Sequence, residues 1–130
     1  MPEPEKILLI EDNKELSKLL SLRLREEGYV VDIAGDGQEG LDKVAAAVPD
    51  LIVADLAMPK VNGNVVVRIL KLSPNFSKIP IIMLSAFVSP EMKNGVEVPA
   101  DYYMSKPFDE PILLRKIRDL LDSRPQLSNV

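Results

Sequence analysis

Short apolar bursts alternate with longer amphipathic stretches along the whole chain, and this alternation restricts the possible folds more than any other feature. The bursts are Lys6–Ile10, Tyr29–Ala34, Leu51–Ala54, Ile79–Leu84 and Asp101–Met104. Five apolar–amphipathic pairs in series are the signature of βα units, not of segregated helices and strands. The first, third and fourth bursts are nearly continuously apolar, as strands are when helices cover both faces of a parallel sheet. The pattern predicts a single doubly wound α/β domain with one five-stranded parallel sheet and helices on both faces.

The amphipathic stretches carry their own boundaries. Leu16, Leu19, Leu20 and Leu24 share a predicted helical face that stops at Gly28, and Leu41, Val44, Ala45 and Val48 share one that stops at Pro49. Near the C-terminus, Asp109 is placed to cap a helix with Pro111 in its first turn. Leu113, Ile117, Leu120 and Leu121 then follow at helical spacing. The β-branched run Val65–Val66–Val67 suits a strand as well as a helix. Its place between two buried parallel strands, which need a crossover, selects the helix. Pro90, Asn94, Gly95 and Pro99 weaken the fourth helical segment, which is expected to be short.

Composition narrows the chemistry. A chain of 130 residues with 46% apolar residues can bury one core, so one domain is expected. Charged residues make up 28%, and no apolar run approaches the roughly 18 needed to cross a bilayer, so membrane insertion is not expected. The first residues lack the basic and apolar regions of a signal peptide, and a cytoplasmic location is expected. A net charge of −4 without a basic stripe disfavours nucleic-acid binding by this segment. Cysteine and histidine are both absent. Disulfides, thiolate nucleophiles, Ser-His-Asp triads and His-ligated zinc are thereby excluded, leaving carboxylates, lysines and hydroxyls.

Those groups gather where the strands end. Glu11 and Asp12, Asp55, Ser85 and Lys106 each lie at or just past the end of a different predicted strand, the edge at which open α/β sheets bind ligands. Three converging carboxylates repel by about 4 kcal/mol per pair at 4 Å and an effective dielectric of 20. A hard divalent ion such as Mg²⁺ relieves this, because it takes oxygen ligands and leaves positions open for phosphate oxygens. Lys106 and Ser85 supply a cation and a hydroxyl donor suited to a transferring phosphoryl group. An aspartate beside the metal is then the candidate nucleophile.

KILLIEDN, VADLAMPKVNG, LSA and DYYMSKPF, in that order at the ends of strands one, three, four and five, resemble the response-regulator receiver family over nearly the whole chain. The resemblance implies strand order 2-1-3-4-5 and a phosphoryl group donated by a sensor histidine kinase or phosphotransfer domain. It implies Asp55 as phosphoacceptor, Asp12 as direct metal ligand, Glu11 as a ligand through water and the Ala57 carbonyl as a further metal ligand. It also implies that Ser85 follows the phosphoryl group, that Lys106 steadies it, that Tyr103 is the switch aromatic and that Lys106–Pro107 is a cis bond. Residues 6–122 would form the receiver, with 1–5 an N-terminal extension and 123–130 a tail or the start of a linker.

Other readings share parts of this pattern. A receiver-fold interaction module not regulated by phosphorylation would have lost the acceptor, the lysine or the acidic pair, and none is lost. A flavodoxin-like carrier needs a loop rich in N–H donors after strand one, where EDNKE places carboxylates. A haloacid-dehalogenase-type phosphatase needs a second acid two residues after the nucleophile, where Ala57 stands. Val98-Pro99-Ala100 replaces the Gly-Ala pair common before the family's last strand. Dimerisation, the cognate kinase and the output partner are left open by the sequence.

Overall fold

The computed structural model describes residues 3–56, 61–85 and 100–124. In chain order these form β1 (Lys6–Ile10), α1 (Lys14–Glu26), β2 (Val30–Ala34), α2 (Gly37–Ala46) and β3 (Leu51–Asp55), then α3 (Gly63–Lys71), β4 (Ile81–Ser85), β5 (Tyr102–Ser105) and α4 (Glu110–Asp122). The strands make one parallel sheet in the order β2-β1-β3-β4-β5, as the resemblance implied. The helical segment expected around Pro90 to Pro99 lies outside the described residues.

Strict alternation along the strands divides the core in two. Leu8, Ile10, Ile52, Ala54 and Met83 point to one face, where Val44 of α2 and Val66, Val67 and Leu70 of α3 cover them. Ile7, Leu9, Leu51, Val53, Ile82 and Leu84 point to the other, beneath Leu20 and Leu24 of α1 and Leu113, Ile117 and Leu121 of α4. The Val65–Val67 run is therefore helical, its propensity overridden by burial of two of the three valines.

Capping follows the sequence closely. Asn13, Asp36, Asn62 and Asp109 each accept a backbone N–H from the first turn of their helix. Gly28 ends α1 at φ +97°, a left-handed conformation that glycine adopts without a Cβ penalty.

Two helical faces differ from expectation. Leu19 is 52% exposed, and Ser17 and Ser21 occupy the buried stripe of α1 beside Leu20 and Leu24. Small side chains let the helix lie close to the sheet, which turns Leu19 outward. In α2 the helix stops at Ala46, Ala45 and Val48 are exposed, and the buried stripe is Gly37, Gly40 and Val44. Glycines carry that contact, and a hydrophobic-periodicity reading does not register them.

Candidate functional site

The backbone fixes the site before any side chain does. Glu11 directly follows β1, and its N–H donates to the Ala34 carbonyl at 2.9 Å, extending the β1–β2 ladder by one bond. Asp55 is the last residue of β3, in register with Leu84, and the Leu56 N–H donates to the Leu84 carbonyl at 2.8 Å. Ser85 closes β4 opposite Ser105, and its carbonyl accepts the Lys106 N–H at 2.6 Å. Four adjacent strand ends thus present Glu11, Asp55, Ser85 and Lys106 along one edge of the sheet.

The side chains converge as the sequence anticipated. Lys106 Nζ donates to Glu11 Oε1 at 2.9 Å and to Asp55 Oδ2 at 3.1 Å, spanning β5, β1 and β3. One carboxylate oxygen each from Glu11, Asp12 and Asp55 lies within 4.8 Å of the others. Glu11 and Asp55 are buried, whereas Asp12 is exposed. The second Glu11 oxygen, Oε2, accepts the Asn13 N–H at 3.1 Å.

Burial lifts the Glu11 pKa above the ordinary value, and the neighbouring charge of Asp55 adds to the effect. The hydrogen bonds from Lys106 and the Asn13 N–H offset only part of it. Burial also works against the charge on Lys106, but its hydrogen bonds to Glu11 and Asp55 outweigh this and hold its pKa above the ordinary lysine value. The lysine therefore stays cationic while the acids around it remain crowded. An all-oxygen, net anionic cluster open on the Asp12 side can hold a hard divalent cation.

The remaining candidates are placed as follows. Ser85 is buried at the end of β4. Tyr103 is 6% exposed, packed in the α2/α3-side core, and its hydroxyl accepts the Ala100 N–H at 3.0 Å. The Lys106–Pro107 bond is cis. Ala57, implied as a metal ligand, lies outside the described residues.

Sequence reading did not single out Gly63 as part of the site. A Cβ there would lie 2.7 Å from the Asp55 carbonyl oxygen and 2.8 Å from Leu56 Cα, so glycine is required by close approach to the acidic strand end. Asn13, at the mouth of the site, caps α1 with its side chain and donates its backbone N–H to Glu11.

A parallel 2-1-3-4-5 sheet whose carboxyl edge holds three acids and a bridging lysine defines the phosphoacceptor class of doubly wound domains. The chain belongs to the response-regulator receiver family, whose "Response regulator receiver domain" model matches residues 7–118. It is 40% identical over 121 residues to the response regulator ArlR of Staphylococcus aureus, covering 92% of this chain and 54% of that protein. The chain thus spans about half the length of the curated relatives it matches. Among solved structures, the receiver domain of a signal transduction histidine kinase from Syntrophus aciditrophicus superposes with a TM-score of 0.86 at 29% identity, over 95% of this chain and 96% of that one. The response regulator TrrA from Thermotoga maritima, solved in complex with Mg²⁺-BeF, gives 0.79 at 31% identity, over 89% and 98%.

Proposed function

We propose that residues 6–122 act as a Mg²⁺-dependent phosphoacceptor whose donor is a phosphohistidine on a sensor histidine kinase or phosphotransfer domain. The observation that carries this reading is the Lys106 ammonium held between Glu11 and Asp55 at the carboxyl ends of three strands. A carboxylate oxygen of Asp55 attacks phosphorus, the phosphorus–nitrogen bond of the donor breaks, and the imidazole leaves with the electron pair. Lys106 faces the acceptor with a fixed positive charge and stabilises the phosphoryl oxygens as charge shifts onto them. The Ser85 hydroxyl is one strand away and donates to the same oxygens.

Glu11, Asp12 and Asp55, with the Ala57 carbonyl, would hold Mg²⁺. When bound, the ion offsets the carboxylate charge and neutralises charge on the transferring group. TrrA, related over nearly its whole length and carrying Mg²⁺-BeF, supports this assignment. The domain assists its own phosphorylation and dephosphorylation through the same groups.

Phosphorylation then shifts an equilibrium between two conformations. Ser85 moves toward the phosphoryl group, and Tyr103 leaves its bond to the Ala100 N–H for a second rotamer. That change signals to an output domain or partner.

Intact-mass measurement after incubation with Mg²⁺ and acetyl phosphate tests the reading. The parent is expected to gain one phosphoryl group and Asp55→Asn none. No gain on the parent would instead favour an interaction module not regulated by phosphorylation.

A further inference from the structure

The acid site depends on how closely α2 approaches it. Gly37 opens α2, and a methyl group there would overlap the Val61 carbonyl oxygen and lie 2.9 Å from Val61 Cβ. The obstacle is partly backbone, so no side-chain rotation removes it. Gly40, one turn on, faces Ile10, whose Cδ1 would lie 2.5 Å from an added Cβ. Ile10 is the residue before Glu11, and Val61 stands two residues before Gly63. The first turn of α2 is therefore wedged against the chain on both sides of the acidic cluster.

A shift at Val61 has little slack on its C-terminal side. Gly63 donates its N–H to the Leu56 carbonyl at 2.9 Å and sits against the Asp55 carbonyl, Leu56 Cα and Met83 Sδ. Met83 is fully buried in the same core cluster as Ile10 and Ala54. Close-packed interiors transmit such a displacement instead of absorbing it.

We propose that Gly37 is a positioning residue for the phosphoacceptor: by letting α2 close on Val61, it sets the separation of Asp55 from Glu11 and hence the geometry of the cation site. This rests on the phosphoacceptor reading above. It differs from a purely structural role in what a small enlargement does, since displacing the acids by part of an ångström impairs the chemistry while the fold persists.

The experiment compares Gly37→Ala with Gly28→Ala in the intact chain. Gly28 lies at φ +97° with nothing within 4 Å of an added Cβ, so alanine there strains the backbone away from the site. Mg²⁺ binding is followed by titration calorimetry with the metal alone, and acetyl phosphate labelling by mass across a range of Mg²⁺ concentrations. Gly37→Ala is expected to raise the half-saturating Mg²⁺ concentration and to slow labelling by about tenfold or more, as small misplacements of reacting groups do. Gly28→Ala is expected to lower the thermal midpoint and leave both readouts at the parent level.

If Gly37→Ala loses thermal stability but keeps the parent's Mg²⁺ affinity and labelling rate, the proposal is overturned. Should Gly37→Ala fail to fold, Gly40→Ala presses the same turn of α2 against the more yielding end of the Ile10 side chain, and a parent-like Mg²⁺ affinity in that variant overturns the proposal equally. A parent that neither binds Mg²⁺ nor labels sinks the phosphoacceptor reading itself. A labelling parent with an unimpaired Gly37→Ala sinks only this proposal.

Discussion

The two ends of the sheet handle acidic residues in opposite ways. At the amino ends of the strands, Glu5 receives Arg118 at 2.8 Å and Arg124 at 3.0 Å, Asp50 receives Arg124 at 3.0 Å, and Asp122 receives Arg118 at 2.8 Å. Asp50 also accepts the Lys6 N–H at 2.7 Å. Each of these acids is matched by a guanidinium in a partly exposed setting, where charge is cheap to hold. At the carboxyl ends, Glu11, Asp12 and Asp55 crowd together and the Lys106 ammonium pairs with Glu11 and Asp55, whose side chains are only 1% and 9% exposed. Crowding buried carboxylates together is costly, and among the described residues the fold carries that cost at the carboxyl ends of the strands. The matched end fastens the chain, while the carboxyl end gathers the crowded acids to which cation and phosphoryl binding is assigned in the proposed function.

Three measurements break or sharpen this contrast. The largest effect is expected from Asp12→Ala, which removes the exposed acid of the cluster. In the parent, Mg²⁺ at a hundred times its Kd should stabilise the folded state by about 2.7 kcal/mol, and the variant should lose that response. Without metal the variant should be at least as stable as the parent, because a repelling charge is gone. A clear fall in its metal-free denaturation midpoint would show that the acids are not crowded.

The next effect concerns pH. The folded pKa of Glu11 lies above the ordinary glutamate value of 4.5, so above that pH the folded state holds a proton that the unfolded state has released. The contribution of Glu11 to stability is thus fully present below 4.5 and is lost as pH rises through its folded pKa. Each unit of elevation is worth about 1.4 kcal/mol. Asp32, whose pKa is lowered, acts in the opposite sense. Burial raises it, but Lys43 outweighs this, so its contribution is lost as pH falls below 3.8. Chemical denaturation of the metal-free protein across this range should show stability falling above pH 4.5, and Glu11→Gln should flatten that limb. An unchanged slope in the variant would assign the pH dependence to other groups.

The smallest effect is expected at the matched end. Arg118→Ala removes ion pairs to Glu5 and Asp122 that are partly exposed, and should cost about 1 kcal/mol or less. Its Mg²⁺-induced rise in thermal midpoint should equal the parent's. A changed metal response would mean that the two ends are coupled through α4.

Much of the site was legible because its signals are local. A carboxylate, hydroxyl or lysine directly after an apolar burst can only emerge at a strand's carboxyl edge, so Glu11, Asp55, Ser85 and Lys106 could be grouped from spacing and order alone. Helix starts were legible for the same reason: the Asp109 cap with Pro111 in the first turn is a short-range pattern. Leu19 was misread because apolar periodicity shows how wide a stripe is, not which edge of it meets the sheet. The end of α2 was misread because Val48 is apolar yet 56% exposed, and the contact that holds the helix is made by Gly37 and Gly40.

The sequence by itself determined the βα alternation, the chemistry left available once cysteine and histidine are absent, and the identity of the acids and lysine, since each follows from residue type and near-neighbour order. Only the tertiary structure decided how near those groups come, that Lys106 bridges Glu11 and Asp55 across strands 95 and 51 residues away, and that the Tyr103 hydroxyl is tied to Ala100. It alone showed which glycines are spaces another chain segment must occupy. Distances between remote segments arise from packing two layers of helices onto one sheet, and no local pattern encodes them.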